Sequence, residues 1–100
     1  MLKHKFRAKP IIDDDIRFAS KKEHKRYNEL KLLQKLGKVL FFLRQVPIHL
    51  PSGTKYVCDY QVFWADETVT FEDVKGIKTS MYILKKKQVE SIYPLTITEI

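Results

Sequence analysis

Two strand-like runs, Lys55 to Trp64 and 69–76, flank a short polar break around Asp66, and this arrangement restricts the fold more than any other feature. Both are rich in Val, Phe, Tyr and Trp, residues that suit a pleated, half-buried surface. A break this short joins antiparallel neighbours. Side chains alternate along a strand, so Val57, Asp59, Gln61 and Phe63 are expected to share one face. Val69, Phe71, Asp73 and Lys75 share a face of the second run. A turn centred on Asp66 sets residue 59 opposite residue 73, with Cβ atoms roughly 4.5–5.5 Å apart.

Two facing carboxylates repel and destabilise a sheet unless something compensates them. A divalent cation is one compensator, and Lys75 supplies further positive charge. Hard oxygen donors suit Mg²⁺, with Mn²⁺ as a substitute, and such ions also bind phosphate. The metal would polarise a phosphoryl oxygen and acidify a bound water, and the Val74 carbonyl is a further candidate ligand. Lys75 would orient that water or stabilise charge on the phosphate. The same three side chains also suit a plain ionic cluster at a strand end, with Lys75 bridging the aspartates.

The rest of the chain is consistent with a mixed α/β sheet. Residues 1–17, with Lys3, Lys5, Arg7 and Lys9 before Asp13, Asp14 and Asp15, read as a loosely ordered N-terminal arm, with a short strand around Ile16 to Phe18. Residues 18–100 read as a single domain. Ser20-Lys21-Lys22-Glu23 has the form of a capping box and opens a helix. Tyr27, Leu30, Leu33 and Leu36 give it an apolar stripe, and Gly37 suits a left-handed stop. Residues 39–43 read as a strand and 46–50 as an edge strand interrupted by Pro47. Pro51-Ser52-Gly53 is a turn. A second helix is expected over 80–91, with Met81, Leu84 and Gln88 on one side, and a last strand over 95–100. The expected order is α-β-β-β-β-α-β, which packs naturally as a sheet flanked by helices.

One hundred residues suffice for one compact domain. The formal charge of +7 favours an acidic partner, nucleic acid before an anionic membrane. The single Cys58 excludes an intramolecular disulfide and suits a reducing compartment. One cysteine and three scattered histidines show no zinc-ligand spacing. No apolar run approaches the ~20 residues of a membrane span, and no signal-peptide core follows the basic start. The expected location is the cytoplasm, that of the host cell if the chain is phage-encoded.

Several stretches taken in order carry a resemblance: 16–23, Arg26-Tyr27, 30–33, Gln45, Tyr56-Val57-Cys58-Asp59-Tyr60, Glu72-Asp73-Val74-Lys75-Gly76, Thr79 and Tyr82-Ile83-Leu84-Lys85. In this order they resemble the DUF1064 group of small phage and prophage proteins. That group is similar to PD-(D/E)XK nucleases, including archaeal-type Holliday junction resolvases and the nuclease subunit of some transposases. The resemblance runs from Phe6 onward and implies a restriction-endonuclease-like core. It implies that Asp59 is the lone aspartate of the nuclease motif, and that Asp73 and Lys75 are the acid and lysine of the (D/E)XK triplet. Glu23 matches a first-helix glutamate near the metal, and Gln45 a glutamine of the second strand. Ala19 stands where the group usually has a polar or acidic residue, Tyr60 where it has phenylalanine, and the Asp13-Asp14-Asp15 run replaces a turn that usually contains glycine.

Glu23 has two competing explanations, as the last residue of the capping box or as a metal ligand. Glu72 is expected on the face opposite Asp73, as a solvated or structural residue. His4, His24 and His49 read as surface residues. Lys21, Lys22, Lys78, Lys85, Lys86 and Lys87 are candidate DNA contacts, because backbone phosphate is the expected ligand of a nuclease. Tyr82 is expected in the core, and Phe63 and Trp64 as packing or a dimer contact. The leading function is a Mg²⁺-dependent, structure-selective endodeoxyribonuclease acting as a homodimer, such as a phage junction resolvase with a recombination or replication partner. The alternatives are a DNA-binding or assembly module that does not cut, and a basic RNA-binding protein. The last lacks an aromatic RNP-type strand.

Overall fold

A computed structural model describes residues 10–100. Its elements are β1 (Ile11–Asp13), β2 (Ile16–Phe18), α1 (Lys21–Lys35), β3 (Val39–His49), β4 (Lys55–Trp64), β5 (Val69–Asp73), α2 (Ser80–Ile92) and β6 (Ile97–Glu99). β1 and β2 form a separate two-stranded sheet, and the others form a four-stranded sheet in the order β3-β4-β5-β6. The first two pairings in that sheet are antiparallel and β5–β6 is parallel, with α2 as the crossover. The sheet is therefore mixed, as expected.

Three boundaries differ from the sequence reading. The segment before the first helix is an antiparallel hairpin from Ile11, not a loose arm; Lys3, Lys5, Arg7, Lys9 and His4 lie outside the described residues. Its two-residue loop, Asp14-Asp15, has φ of 53° and 60° at the two positions. Tight hairpins need left-handed residues there, and aspartate tolerates that conformation better than most non-glycine residues. The acidic run thus does the work of a glycine-containing turn. Second, residues 39–43 and 46–50 belong to one strand, β3, paired with β4 from Val39↔Trp64 to His49↔Lys55. Pro47 does not divide it, because β3 is the sheet edge and an absent N–H is tolerated there. Third, β5 ends at Asp73 rather than at Gly76, and the last strand is only Ile97–Glu99.

Two clusters form the core. One joins Phe18, Tyr27, Leu30, Val39, Tyr60, Val62 and Val74, uniting the hairpin and α1 with the sheet. The other joins Ile48, Leu50, Tyr56, Cys58, Tyr82, Val89 and Ile97, under α2. On α1 the stripe fades toward the C-terminus: Tyr27 and Leu30 are buried, whereas Leu36 caps the helix and is exposed. Gly37, at φ 77°, makes the left-handed exit. On α2 the buried side chains are Tyr82 and Val89, whereas the side that carries Met81, Leu84 and Gln88 faces solvent. Trp64 packs against the first cluster and donates to Thr70 Oγ1 at 2.7 Å, while Phe63 stacks on Phe41 with centroids 4.3 Å apart.

β4 passes from one cluster to the other. Cys58, Asp59 and Tyr60 are all buried, so strict alternation fails at Asp59. Cys58 belongs to the α2 cluster and Tyr60 to the α1 cluster. Across from this point Gln45 has φ 52°, a left-handed position inside a strand. Arg44 pairs with Tyr60 and Val46 with Cys58, leaving Gln45 facing Asp59. This irregularity is where the candidate site forms.

Candidate active site

The β4–β5 register runs Phe63↔Val69, Val62↔Thr70, Gln61↔Phe71 and Tyr60↔Glu72. Asp59 and Asp73 are the next positions in that series. Beyond Tyr60↔Glu72 the ladder gives way to a side-chain contact: the Val74 N–H donates to Asp59 Oδ2 at 2.8 Å. A cleft of about 470 Å³ opens here, lined by Arg17, Ala19, Ser20, Glu23, Arg44, Gln45, Asp59, Val74, Lys75 and Gly76. It draws on β2, the start of α1, the middle of β3 and β4, and the chain leaving β5.

Glu23 belongs to this cleft rather than to the helix cap. Ser20 Oγ accepts from the Glu23 N–H at 3.1 Å, which is half of a capping box. The Glu23 carboxylate does not complete the other half. Its Oε2 accepts from Arg44 Nη2 at 2.8 Å and Gln45 Nε2 at 3.1 Å. The same Gln45 Nε2 donates to Asp59 Oδ1 at 3.1 Å, so one amide links the two carboxylates. Arg44, which the sequence reading missed, lies with its guanidinium carbon 4.5 Å from the Phe18 ring centroid and 5.8 Å from that of Tyr60. Its Nε is buried without a hydrogen-bond partner. Arg17 was missed as well. Arg17 falls within the 16–23 stretch that carries the resemblance and Arg44 in none of those stretches, but only the folded chain brings both to the cleft that Glu23 lines.

Asp73 sits differently from Asp59. Its side chain is fully buried and does not line the cleft. Tyr56 donates its hydroxyl to Asp73 Oδ2, and Lys75 Nζ is 3.7 Å from Oδ1. Burial raises the Asp73 carboxyl above its ordinary range, and Lys75 opposes that shift. Lys75 itself lines the cleft, with its Nζ 5.4 Å from the Tyr82 ring centroid.

Among the described residues, no three or more His, Cys, Asp or Glu side chains are grouped so as to hold a metal ion. The donors nevertheless fit a hard cation in kind. Asp59 and Glu23 offer carboxylates to the cleft, and Asp73 Oδ1 is a buried acceptor with no hydrogen-bond partner. An unsatisfied buried carboxylate oxygen is costly, and a cation is one group that would satisfy it.

Other candidates stand outside the cleft. Glu72 takes the structural of its two expected roles rather than the solvated one: it is buried and paired to Arg26 of α1. Lys21 and Lys22 are exposed on the first turn of α1, beside the cleft residues Ser20 and Glu23. Lys78 pairs with Glu99 at 3.1 Å, Lys86 with Glu90 at 3.2 Å, and Lys85 donates to the Lys55 carbonyl. Lys87 is exposed on α2. These four do not line the cleft. His24 is held by Asp13 at 2.8 Å and tilted against Phe18, so it is a packing residue rather than a plain surface one. No described helix is long and apolar enough to cross a membrane.

Comparison with known families decides the kinship. A family model described as "Protein of unknown function (DUF1064)" matches residues 3–98. The chain belongs to the DUF1064 family. The DUF1064 match covers the hairpin, both helices and the whole candidate cleft. No curated protein and no solved structure matches the chain.

Proposed function

We propose that this DUF1064 protein is a metal-dependent endodeoxyribonuclease with a PD-(D/E)XK core. The observation that carries the reading is the cleft that gathers Glu23, Asp59, Val74 and Lys75, with Asp73 buried beside Lys75. From Lys21 onward the element order α-β-β-β-α-β supports the implied core. Asp59, Asp73 and the Val74 carbonyl would hold Mg²⁺, with Glu23 as the further ligand. The ion, when bound, would polarise a phosphoryl oxygen and lower the pKa of a bound water. Lys75, on the chain leaving β5, would orient the attacking water or stabilise charge on the phosphate. Asp59 is held in place by the Val74 N–H and Gln45, and Glu23 by Arg44. Such anchoring keeps a catalytic group in position without reorganisation during reaction.

A branched DNA, such as a four-way junction of phage recombination, suits a chain with little surface for reading base edges. Paired cuts would require two copies. The exposed apolar side chains of edge strand β3, Leu40, Phe41 and Leu43, support a homodimer.

A second reading is a DNA-binding module with the same fold that does not cut. It is favoured by Asp59, whose two oxygens both accept hydrogen bonds, and by Asp73, which is bound through Oδ2 to Tyr56 outside the cleft. Labelled junction, flap and duplex DNA incubated with Mg²⁺, Mn²⁺ or EDTA separates the two. Metal-dependent cutting that Asp73→Ala and Lys75→Ala lose supports the nuclease. Junction binding without cutting in either metal rejects it in favour of the module.

A further inference from the structure

The N-terminal hairpin brings to the cleft a cation that the motif residues leave uncompensated. Arg17 of β2 is exposed and lines the cleft beside Ala19 and Ser20. The cleft contains three basic side chains, Arg17, Arg44 and Lys75, and two acidic ones, Glu23 and Asp59. Arg44 is committed to Glu23 at 2.8 Å, and Lys75 is drawn toward buried Asp73 at 3.7 Å. Among the described residues Arg17 has no carboxylate within ion-pair distance. Residues 1–9 cannot supply one, since they contain no Asp or Glu.

The hairpin is also anchored more firmly than a loose arm would be. Phe18 is fully buried, and Ile11 and Ile16 pack against the α1 cluster. Tyr27 donates its hydroxyl to Asp14 Oδ2 at 3.0 Å, and His24 Nε2 lies 2.8 Å from Asp13 Oδ2. The turn is thereby held to α1 at two successive residues. A guanidinium presented from such a platform loses little freedom on binding an anion and can grip a phosphate with two parallel donors.

We infer that the β1–β2 hairpin is a nucleic-acid contact element, in which Arg17 seats a backbone phosphate of DNA at the mouth of the Glu23–Asp59 cleft. This rests on the reading of the cleft as a DNA site, and it assigns the contact to a residue outside the nuclease motif. Arg44 acts here as a positioning residue that holds Glu23, leaving Arg17 to meet the phosphate.

The test measures anisotropy of a fluorescent four-way junction with the full chain in EDTA, from low to moderate salt. Each phosphate contact contributes about 0.9 to the slope of log K against log salt on duplex DNA. Arg17→Gln is expected to lower that slope by about one and the affinity by roughly tenfold at low salt, while Arg17→Lys retains the slope. Lys35→Gln removes the same charge roughly 18 Å along α1 from Glu23 and leaves the slope unchanged. Circular dichroism melts confirm that the exposed substitution leaves the fold intact. An Arg17→Gln slope equal to wild type, or an equal loss in Lys35→Gln, overturns the inference. A wild-type chain that cuts no DNA yet shows the Arg17-dependent slope sinks the nuclease reading and leaves the hairpin contact standing. A wild-type chain that binds no DNA overturns both.

Discussion

Arg26 and Glu72 form a two-pronged ion pair across the interface of α1 and β5, with Nε to Oε1 at 2.8 Å and Nη2 to Oε2 at 2.6 Å. Glu72 is almost entirely buried, and the pair raises the Arg26 guanidinium above its ordinary value, chiefly through this hydrogen bond. Removing one partner strands the other's charge in a poorly solvated place. Arg26→Ala is expected to cost about 3 kcal/mol, at the lower end of the range for broken buried pairs because Arg26 keeps some exposure. The double variant Arg26→Met, Glu72→Met should lose less than the sum of the single changes, because no charge is then left unpaired. Urea unfolding of wild type, Arg26→Met, Glu72→Met and the double variant measures this directly. Additive losses would mean that the pair carries no coupling.

Gln45 combines a left-handed backbone with two hydrogen bonds to carboxylates. Gln45→Ala loses both bonds and keeps the unfavourable conformation, so a loss of about 2 kcal/mol is expected. Gln45→Gly loses the same bonds but adopts φ near 52° without strain. It should be about 1 kcal/mol less destabilised than the alanine variant. Denaturant midpoints of the two variants decide the point, and equal midpoints would show that the backbone at this position is relaxed.

Burial pushes the Cys58 thiol from 9.0 up to about 11. The folded chain therefore holds its proton where the unfolded chain releases it. Below pH 9 the thiol is neutral in both states and costs nothing. As pH rises from about 9 to about 11 the unfolded thiolate gains the advantage, and stability falls by up to about 3 kcal/mol. Stability measured from pH 8 to 11 should fall less steeply in Cys58→Ala than in wild type. Parallel curves would assign the alkaline loss to other groups. Alkylation of the native thiol at pH 8 should be slow and should track global unfolding.

Tyr60 replaces the phenylalanine usual in the resembling proteins, and its hydroxyl has a partner here. It donates to the Glu23 carbonyl at 2.8 Å, tying the first turn of α1 to β4, and burial raises the phenol to about 12. Tyr60→Phe is expected to cost about 1 kcal/mol, a typical net value for one such bond. Thermal or urea unfolding reads it. An unchanged midpoint would mean that water serves the Glu23 carbonyl equally well.

Features carried by near neighbours in the chain were legible before folding. The Ser20 cap, the Gly37 exit and the β4–β5 register about Asp66 follow from spacing within one element or one tight turn. Family membership was legible for the same reason, because it rests on residues taken in linear order. The acidic turn and Pro47 misled, since local composition does not say whether a turn is tight or a strand is at the sheet edge.

The interior of the site was settled by contacts between residues far apart in the chain. Glu23 could complete its own cap or face the cleft, and Arg44 and Gln45, more than twenty residues on, decide for the cleft. Asp73 was expected to face Asp59 across the hairpin, but its side chain is buried outside the cleft, where the Tyr56 hydroxyl donates to it. Arg17 enters the cleft only because the hairpin packs on α1. Side-chain alternation fixes a direction relative to one strand, whereas the partner at the end of that direction depends on how separate layers dock. Local spacing thus accounts for the two helices, the β4–β5 register and the kinship, while the ion pairs of the site form only where the layers pack.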